Sequence, residues 1–178
     1  PYSGPDTDRK FTGIPAGHIV LYHWMKLFSV QGNNVWMSEP GSPYITDIVR
    51  GRLPFRSKVR MIAGLDDGIW FSDSQNIYFM DRNYSLVQKT VYPALEGVPV
   101  KISLNQLPPE GLSGVGFLCF TERGICTLGP QGMFINNTEK NVDFRLETSI
   151  YTDEIKYCRY YGIAKNNMAY FAVDILNI

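Results

Sequence analysis

A repeated hairpin pattern constrains the fold of this chain more than any other feature of its sequence. Each repeat is a window in which an apolar stretch is followed by a polar turn, rich in Gly, Asn, Ser or Gln, and then by a second apolar stretch. The residue at position 11 of the window is aromatic. Three fourteen-residue windows align in this way without gaps: 26–39, 68–81 and 124–137. Each window therefore predicts a β-hairpin with a short turn.

Further strand-like segments surround the windows. HIVLYH, VRMIAG and GVGFLCF precede the three windows, and tight-turn residues stand at two of the joins, at 66–68 and at 121–124. A fourth copy begins in CRYYGIAKNNMAYFAV, where Asn166 and Asn167 supply the turn. Antiparallel units of three or four strands that recur every ~40 to 50 residues are typical of a β-propeller.

We therefore predict an all-β chain, a β-propeller-like array of antiparallel three- to four-stranded blades that residues 1–178 form as one domain. A meander of hairpins in another sandwich or barrel gives similar windows and is the alternative. About three and a half units fall short of the usual 4 to 8 blades. The array is expected to be partial, and the chain to be a fragment of a longer protein.

The composition favours a sheet protein and argues against several functional classes. Aromatic residues make up 13% of the chain, and aromatic side chains pack well on pleated, half-buried surfaces. The 17 basic and 17 acidic residues balance, so the overall charge does not indicate binding to nucleic acid or to a membrane surface. No apolar run approaches the ~20 residues that span a bilayer, and we predict no membrane partner.

The residues that most resemble catalytic or metal-binding groups have simpler explanations. Asp66-Asp67-Gly68 lacks the further oxygen ligands of a calcium loop and fits a turn between strands. Ser38 lacks the glycine of a nucleophile elbow, and the chain has two histidines, His18 and His23, as bases. The cysteines lack CxxC spacing and are expected to be buried, reduced thiols: Cys119, Cys126 and Cys158. We predict no catalytic residue, no metal, no cofactor and no enzymatic activity.

One basic segment is the best candidate for an interface. Five basic residues occur within eleven positions that hold no acid: Arg50, Arg52, Arg56, Lys58 and Arg60. Such a segment binds an acidic patch on a neighbouring protein or the phosphates of DNA. The alternative is a solvated loop that leads into a strand.

The chain, from about residue 13 to its end, resembles a family of tailed-bacteriophage virion proteins. The resemblance lies in PAGHIVLYHWMKLFSVQGNNVWMSEPGSPY from Pro15 and LPFRSKVRMIAGLDDGIWFSDSQNIYFM from Leu53. In that family a PAG tripeptide, a GN–V–aromatic–SEP hairpin and a DDGIF/W…IYF hairpin follow one another in the same order. TERGICTLGPQGMFINNTEK resembles the family's next hairpin. Asn34 departs from the pattern, and we expect it to lengthen its turn.

This resemblance implies a structural protein of the tail or the head-to-tail junction, located in the virion and assembled in the bacterial host cytoplasm. Its partners are then other virion proteins, bound in several copies around the tail axis, and contact with DNA stays open. The alternative is a propeller-type glycan-binding or glycoside-hydrolase module of a phage fibre. That function needs a cluster of carboxylates or stacked tryptophans facing one pocket.

Overall fold

The computed structural model describes residues 9–106, 113–137, 158–165 and 168–175, the last two ranges as strands. The described residues form strands, turns and two 3-10 turns, without an α-helix, so the predicted all-β class is confirmed. The chain divides into two compact units, Pro1–Val59 and Arg60–Ile178, which we describe separately as unit 1 and unit 2. A single domain over residues 1–178 stays a prediction.

Unit 1 contains a two-stranded and a four-stranded antiparallel sheet. Its strands are β1 (Phe11–Gly13), β2 (Ile19–His23), β3 (Lys26–Gln31), β4 (Asn34–Met37), β5 (Ile45–Asp47) and β6 (Arg52–Pro54). The four-stranded sheet, called sheet I below, has the order β2-β3-β4-β6, and β1 pairs with β5 in the small sheet. Sheet I is therefore a meander of β2, β3, β4 and β6. β5, which lies between β4 and β6 in the sequence, pairs in the small sheet instead.

The two faces of sheet I differ in burial. Directly opposite residues share a face of an antiparallel sheet, so the register assigns each side chain. One face carries Phe28, Val30 and Val35, each 0% exposed, and we call it the inner face. The other, the outer face, carries Val20 and Tyr22 of β2, which are exposed, and residues of the three other strands: Leu27, Ser29, Trp36 and Arg52.

Unit 2 contains two further four-stranded antiparallel sheets and a mixed sheet. Sheet II, in the order β7-β8-β9-β10, has the strands β7 (Met61–Leu65), β8 (Gly68–Ser72), β9 (Ile77–Asp81) and β10 (Leu86–Gln88). Sheet III, in the order β12-β13-β14-β15, has the strands β12 (Val100–Ser103), β13 (Val115–Thr121), β14 (Gly124–Leu128) and β15 (Phe134–Asn136). The mixed sheet joins β11 (Glu96–Gly97), β16 (Cys158–Lys165) and β17 (Met168–Ile175). The 3-10 turns are Leu104–Gln106 and Pro130–Gly132.

Sheets II and III share one hydrophobic core. Trp70 of β8 is 0% exposed, lies 5.0 Å from Phe79 between ring centroids, and donates from Nε1 to the Gly129 carbonyl at 3.0 Å. Cys119 and Cys126, which pair across β13 and β14, belong to the same core. The indole therefore joins sheet II to the turn between β14 and β15.

The same register positions of the two sheets supply this core. Trp70 pairs with Ala63, Cys126 pairs with Cys119, and both pairs stand two positions from the two-residue turn that joins their strands. Equivalent faces of the two hairpins thus contribute to one hydrophobic core. A propeller instead presents opposite faces of each blade to its two neighbours.

The predicted hairpins are confirmed in all four copies. β3 pairs with β4, β8 with β9, β14 with β15, and β16 with β17 up to the pair Lys165–Met168. The segments expected before the first three windows are β2, β7 and β13. Asp66-Asp67 is the predicted two-residue turn, since Leu65 pairs with Gly68.

Two finer expectations are wrong. Trp36 pairs with the fourth window residue, Ser29, whereas Phe134 pairs with the fifth, Leu128, so the third window is shifted by one. The shift arises because its turn has an odd number of residues, 129–133, around a 3-10 turn. Asn34 does not lengthen its turn: it begins β4 and pairs with Gln31.

The turn before Asn34 is formed by Gly32 and Asn33, and the positive φ of 60° at Gly32 is the requirement of a type II′ hairpin turn. Between the second and third windows the chain forms β10, β11 and β12.

Candidate docking surface

The predicted basic segment lies along the outer edge of sheet I. From Arg52 to Val59 exposure alternates: Arg52, Arg56 and Lys58 are exposed, whereas Phe55 and Val59 are 7% and 0% exposed. The structure therefore exposes three of the five predicted basic residues on β6 and on the bent segment that follows it.

Backbone hydrogen bonds hold this segment against the turn between β3 and β4. The amide of Phe55 donates to the Asn33 carbonyl at 2.8 Å, and the amide of Val59 donates to the Gly32 carbonyl at 2.9 Å. Pro54 has no amide proton to donate, and proline is compatible with an edge strand. The backbone is thus fixed on both sides of the bend that carries Arg56.

The remaining two predicted residues lie elsewhere. Arg50 is exposed in the turn after β5, where its amide donates to Oδ1 of Asp47 at 3.2 Å. Arg60 is half-buried and begins unit 2, with its amide donating to the Ser72 carbonyl at 2.7 Å. Unit 1 therefore contains four members of the predicted set, and the fifth belongs to unit 2.

An ion-pair cluster that the sequence analysis missed accounts for both acids between residues 9 and 59. Arg9 donates to Oδ2 of Asp47 at 3.1 Å and to Oε1 of Glu39 at 2.7 Å. The backbone amides of Val49 and Arg50, and then Arg9, hold the pKa of Asp47 below its usual value. Hydrogen bonds to the two carboxylates raise the pKa of Arg9. Since Arg9 lies 30 and 38 positions from its partners, no local pattern signals the cluster.

The described part of unit 1 holds more basic than acidic residues. Residues 9–59 contain seven Lys and Arg but two Asp and Glu, and both acids bind Arg9. The excess is hidden in the neutral total of the whole chain. The described part of unit 1 is therefore a positively charged body, and Arg52, Arg56 and Lys58 form its exposed edge.

Exposed apolar side chains accompany the basic residues in the small sheet and the turn after it. Tyr44 is 80% exposed and Val49 73%, with further exposed side chains at Phe11, Ile45 and Ile48. The pairing of β1 with β5 brings these residues together, since Gly13 pairs with Ile45 and the amide of Ile48 donates to the Lys10 carbonyl at 2.9 Å. Arginine and aromatic side chains together are the residue types enriched at protein interfaces.

A separate cavity of about 450 Å³ lies in unit 2 beside the Asp66-Asp67 turn. Its lining includes Lys101 of β12 and Gln131 of the turn between β14 and β15, and the backbone amide of Gln131 donates to Oδ2 of Asp67. The Asp66 carbonyl accepts two hydrogen bonds from Arg82, at 2.8 and 2.6 Å. The aspartates thus fix the contact between two turns, in keeping with their predicted structural role.

The remaining candidates for chemistry have structural partners. Ser38 is 1% exposed, donates from Oγ to the Glu39 carbonyl and accepts from the Leu27 amide, at 3.1 and 2.8 Å. Nε2 of His18 is 2.9 Å from the Val59 carbonyl, and the ring of His23 packs on Trp24 with 5.0 Å between centroids. These contacts give each group a role in the fold.

The described thiols are buried, and the described residues contain no cluster of metal ligands. Cys119 and Cys126 are buried free cysteines, as predicted, and burial raises the pKa of Cys119 well above its usual range. The side chain of Cys158 lies outside the described residues. Among the described residues no three His, Cys, Asp or Glu side chains cluster in a way that holds a metal ion. That same part of the chain has no helix long and apolar enough to cross a membrane.

Comparison with models of known protein families and with curated protein sequences gave no match.

Proposed function

We propose that this protein is a structural component of a tailed phage particle, in the tail or the head-to-tail junction, and that it acts by docking onto other virion proteins. The observation that supports docking most strongly is the basic edge of sheet I. Arg52, Arg56 and Lys58 are exposed along one segment whose backbone is hydrogen-bonded to the turn between β3 and β4, in a unit with more basic than acidic residues. Location in the virion, after assembly in the host cytoplasm, belongs to the same proposal.

The assignment to a phage rests on the order of the hairpin motifs. The motif residues with specific conformations are Gly32, which has a positive φ in its turn, and Asp66-Asp67-Gly68, which joins β7 to β8. They are framework residues of sheets I and II. The likeness to the virion family is therefore a likeness of hairpin framework, and it implies no catalytic step.

The β-propeller-like array stays part of the proposal. Three successive four-stranded antiparallel meanders in one chain support it, since this is the composition of propeller blades. The shared core of sheets II and III, built from equivalent faces, favours the sandwich alternative for unit 2. An experimental structure of the assembled protein decides between the two arrangements.

The mechanism of docking is electrostatic and shape complementarity. An acidic patch on the partner pairs with Arg52, Arg56 and Lys58, and the exposed Tyr44 and Val49 add apolar contact area within the same unit. Charge pairs at the rim of an interface mainly raise the association rate and fix the orientation of the partner. Apolar burial supplies most of the affinity.

The cavity beside Asp66 and Asp67 offers no stacking platform for the glycan-binding alternative. The side chains that line it are aliphatic, acidic, basic or amide, and none of the described lining residues is aromatic. A second cavity of about 390 Å³ has Tyr92 and Phe134 in its lining and is the place where a sugar ring could stack.

Peptide-mapping mass spectrometry of gradient-purified phage particles tests the proposal. We expect peptides of this chain at a constant copy number relative to the major capsid protein. Their absence from particles, with presence in the infected lysate, contradicts the structural role.

A charge-reversed variant then tests the docking edge. Replacing Arg52, Arg56 and Lys58 by Glu is expected to reduce incorporation into particles, whereas Lys10→Glu, an exposed control in the same unit, is not. Equal incorporation of both variants contradicts docking through this edge. Binding of the purified protein to duplex DNA at low salt, lost in the triple variant alone, identifies DNA as the partner of the edge instead.

A further inference from the structure

The outer face of sheet I exposes apolar side chains along its edge strand, β2. On β2, Val20 is 58% and Tyr22 60% exposed. Leu27 and Trp36, on the neighbouring strands of the same face, are half-buried. Nε1 of Trp36 is buried and has no acceptor among the described residues.

Equivalent positions of sheets I and II differ in exposure. The pairs His23–Lys26 and Leu65–Gly68 close the first turn of the two sheets. Val20 and Ile62 stand three positions before the first member of each pair, on the same face of an edge strand. Ile62 is 7% exposed, against 58% for Val20. The same structural position is thus buried in sheet II and exposed in sheet I.

An apolar position that is covered in one copy of a repeat and exposed in another indicates an interaction surface. We propose that the outer face of sheet I docks onto the unit Arg60–Ile178 of a second copy of this chain, in a head-to-tail contact that leads to a ring or a filament. Two different surfaces meet in such a contact, so it repeats from copy to copy.

The division of charge along the chain favours this occupant. Residues 1–59 hold seven basic and four acidic residues, whereas residues 60–178 hold ten basic and thirteen acidic residues. Opposite net charges therefore meet when unit 1 of one copy binds unit 2 of the next. If two outer faces packed on each other, Arg52 of one copy would instead lie close to Arg52 of the other, because Arg52 pairs with Trp36 on this face. Like charges across an interface are unfavourable.

The size of the face requires the contact to extend beyond sheet I. Four strands about 4.8 Å apart and four or five residues long cover on the order of 250 Å². A stable specific interface buries about 800 Å² on each partner. The edge with Arg56 and Lys58 continues the outer face at β6 and provides charged area next to it. The contact therefore combines apolar packing with ion pairs and is sensitive to salt.

Sedimentation velocity of the full chain tests the proposal. At low salt we expect the average mass to rise with protein concentration beyond a dimer, and to fall towards the monomer near 1 M NaCl, where charges are screened beyond about 3 Å. Tyr22→Glu is expected to shift the midpoint of assembly at least tenfold to higher concentration. Lys10→Gln is the matched control, because it changes the charge by the same amount and Lys10 is exposed in unit 1 but lies outside the outer face, and its midpoint is expected to stay within twofold.

Several outcomes overturn the proposal. They are a monomer at all concentrations, equal effects of Tyr22→Glu and Lys10→Gln, and a discrete dimer that salt does not weaken. Circular dichroism of each variant establishes that it is folded, and Arg52→Glu, which leaves the apolar residues in place, supplies a second test of the same face.

The proposal does not rest on the assignment to a phage. If the protein assembles in solution but is absent from particles, the proposed function fails and the contact stands. If it is present in particles but is a monomer in solution under every condition, the proposed function stands and the proposed contact fails.

Discussion

The indole of Trp70 makes a hydrogen bond whose contribution to stability can be worked out from the structure. Trp70 is 0% exposed, and its Nε1 donates to the Gly129 carbonyl at 3.0 Å. Trp70→Phe leaves that carbonyl, on a buried residue, without its donor, which costs about 1–2 kcal/mol. The smaller ring also leaves a cavity on the order of 40 Å³, worth about 1 kcal/mol at ~24 cal/mol per Å³. We expect a loss of about 2–3 kcal/mol.

Trp36 supplies the matched control within the same chain. It is half-buried on the outer face of sheet I, and its Nε1 has no acceptor among the described residues. Trp36→Phe removes a buried donor that makes no hydrogen bond there, so the desolvation cost of that donor disappears. We expect a change within about 1 kcal/mol of zero.

Hydrogen exchange with mass spectrometry measures both variants, because it reports on peptides of each unit separately. For Trp70→Phe, protection of the slowest amides in β8 and β14 is expected to fall roughly 30- to 100-fold, since 1.4 kcal/mol is a factor of ten. For Trp36→Phe, protection in β3 and β4 is expected to change less than about fivefold. Equal losses in the two variants, or a larger loss for Trp36→Phe, refute this account of the two indoles.

Three further predictions concern other parts of the structure. Because the pKa of Asp47 is lowered in the fold, its contribution to stability is complete above the unfolded value near 3.8 and is lost as the pH falls through the folded pKa. Thermal melts should therefore show Asp47→Asn less stable than wild type at pH 7, and the gap narrowing as the pH falls below 4; a gap independent of pH contradicts the lowered pKa of Asp47. Gly68→Ala places a methyl group into the ring of Phe79 and should lower the melting temperature by several degrees, whereas an unchanged melt argues against the pairing of β8 with β9. Iodoacetamide at pH 8 should leave Cys119 unmodified in the folded protein and label it in urea, because the thiol is 0% exposed; rapid labelling without urea contradicts its burial.

Local patterns identified most of the hairpins because the information for a hairpin is local. The polar turn with Gly32 and the Asp66-Asp67 turn, each flanked by apolar stretches, predict two strands whose pairing follows from the turn itself. The shifted register at Phe134 escaped notice because it depends on a five-residue turn around a residue with positive φ, Gln131. An alignment without gaps cannot represent a turn that has a different number of residues.

The basic edge was located from composition but only partly delimited by it. The alternation from Arg52 to Lys58 is visible in the sequence, because the residues between the charged side chains include Leu53, Phe55 and Ser57. That the run divides between two compact units, with Arg60 in the second, is a property of contacts across the chain. The Arg9 cluster likewise joins residues 30 and 38 positions apart.

The sequence alone determined the all-β class, the hairpins and the position of the basic segment, because turn chemistry and period-two alternation act over a few residues. The tertiary structure decided which positions are covered: Val20 and Ile62 are both aliphatic residues at one position of the repeat, yet the first is exposed and the second is buried. It also decided that equivalent faces of two hairpins contribute to one core around Trp70 and Cys126. Burial depends on what lies above a sheet, and nothing within the strand encodes its neighbour.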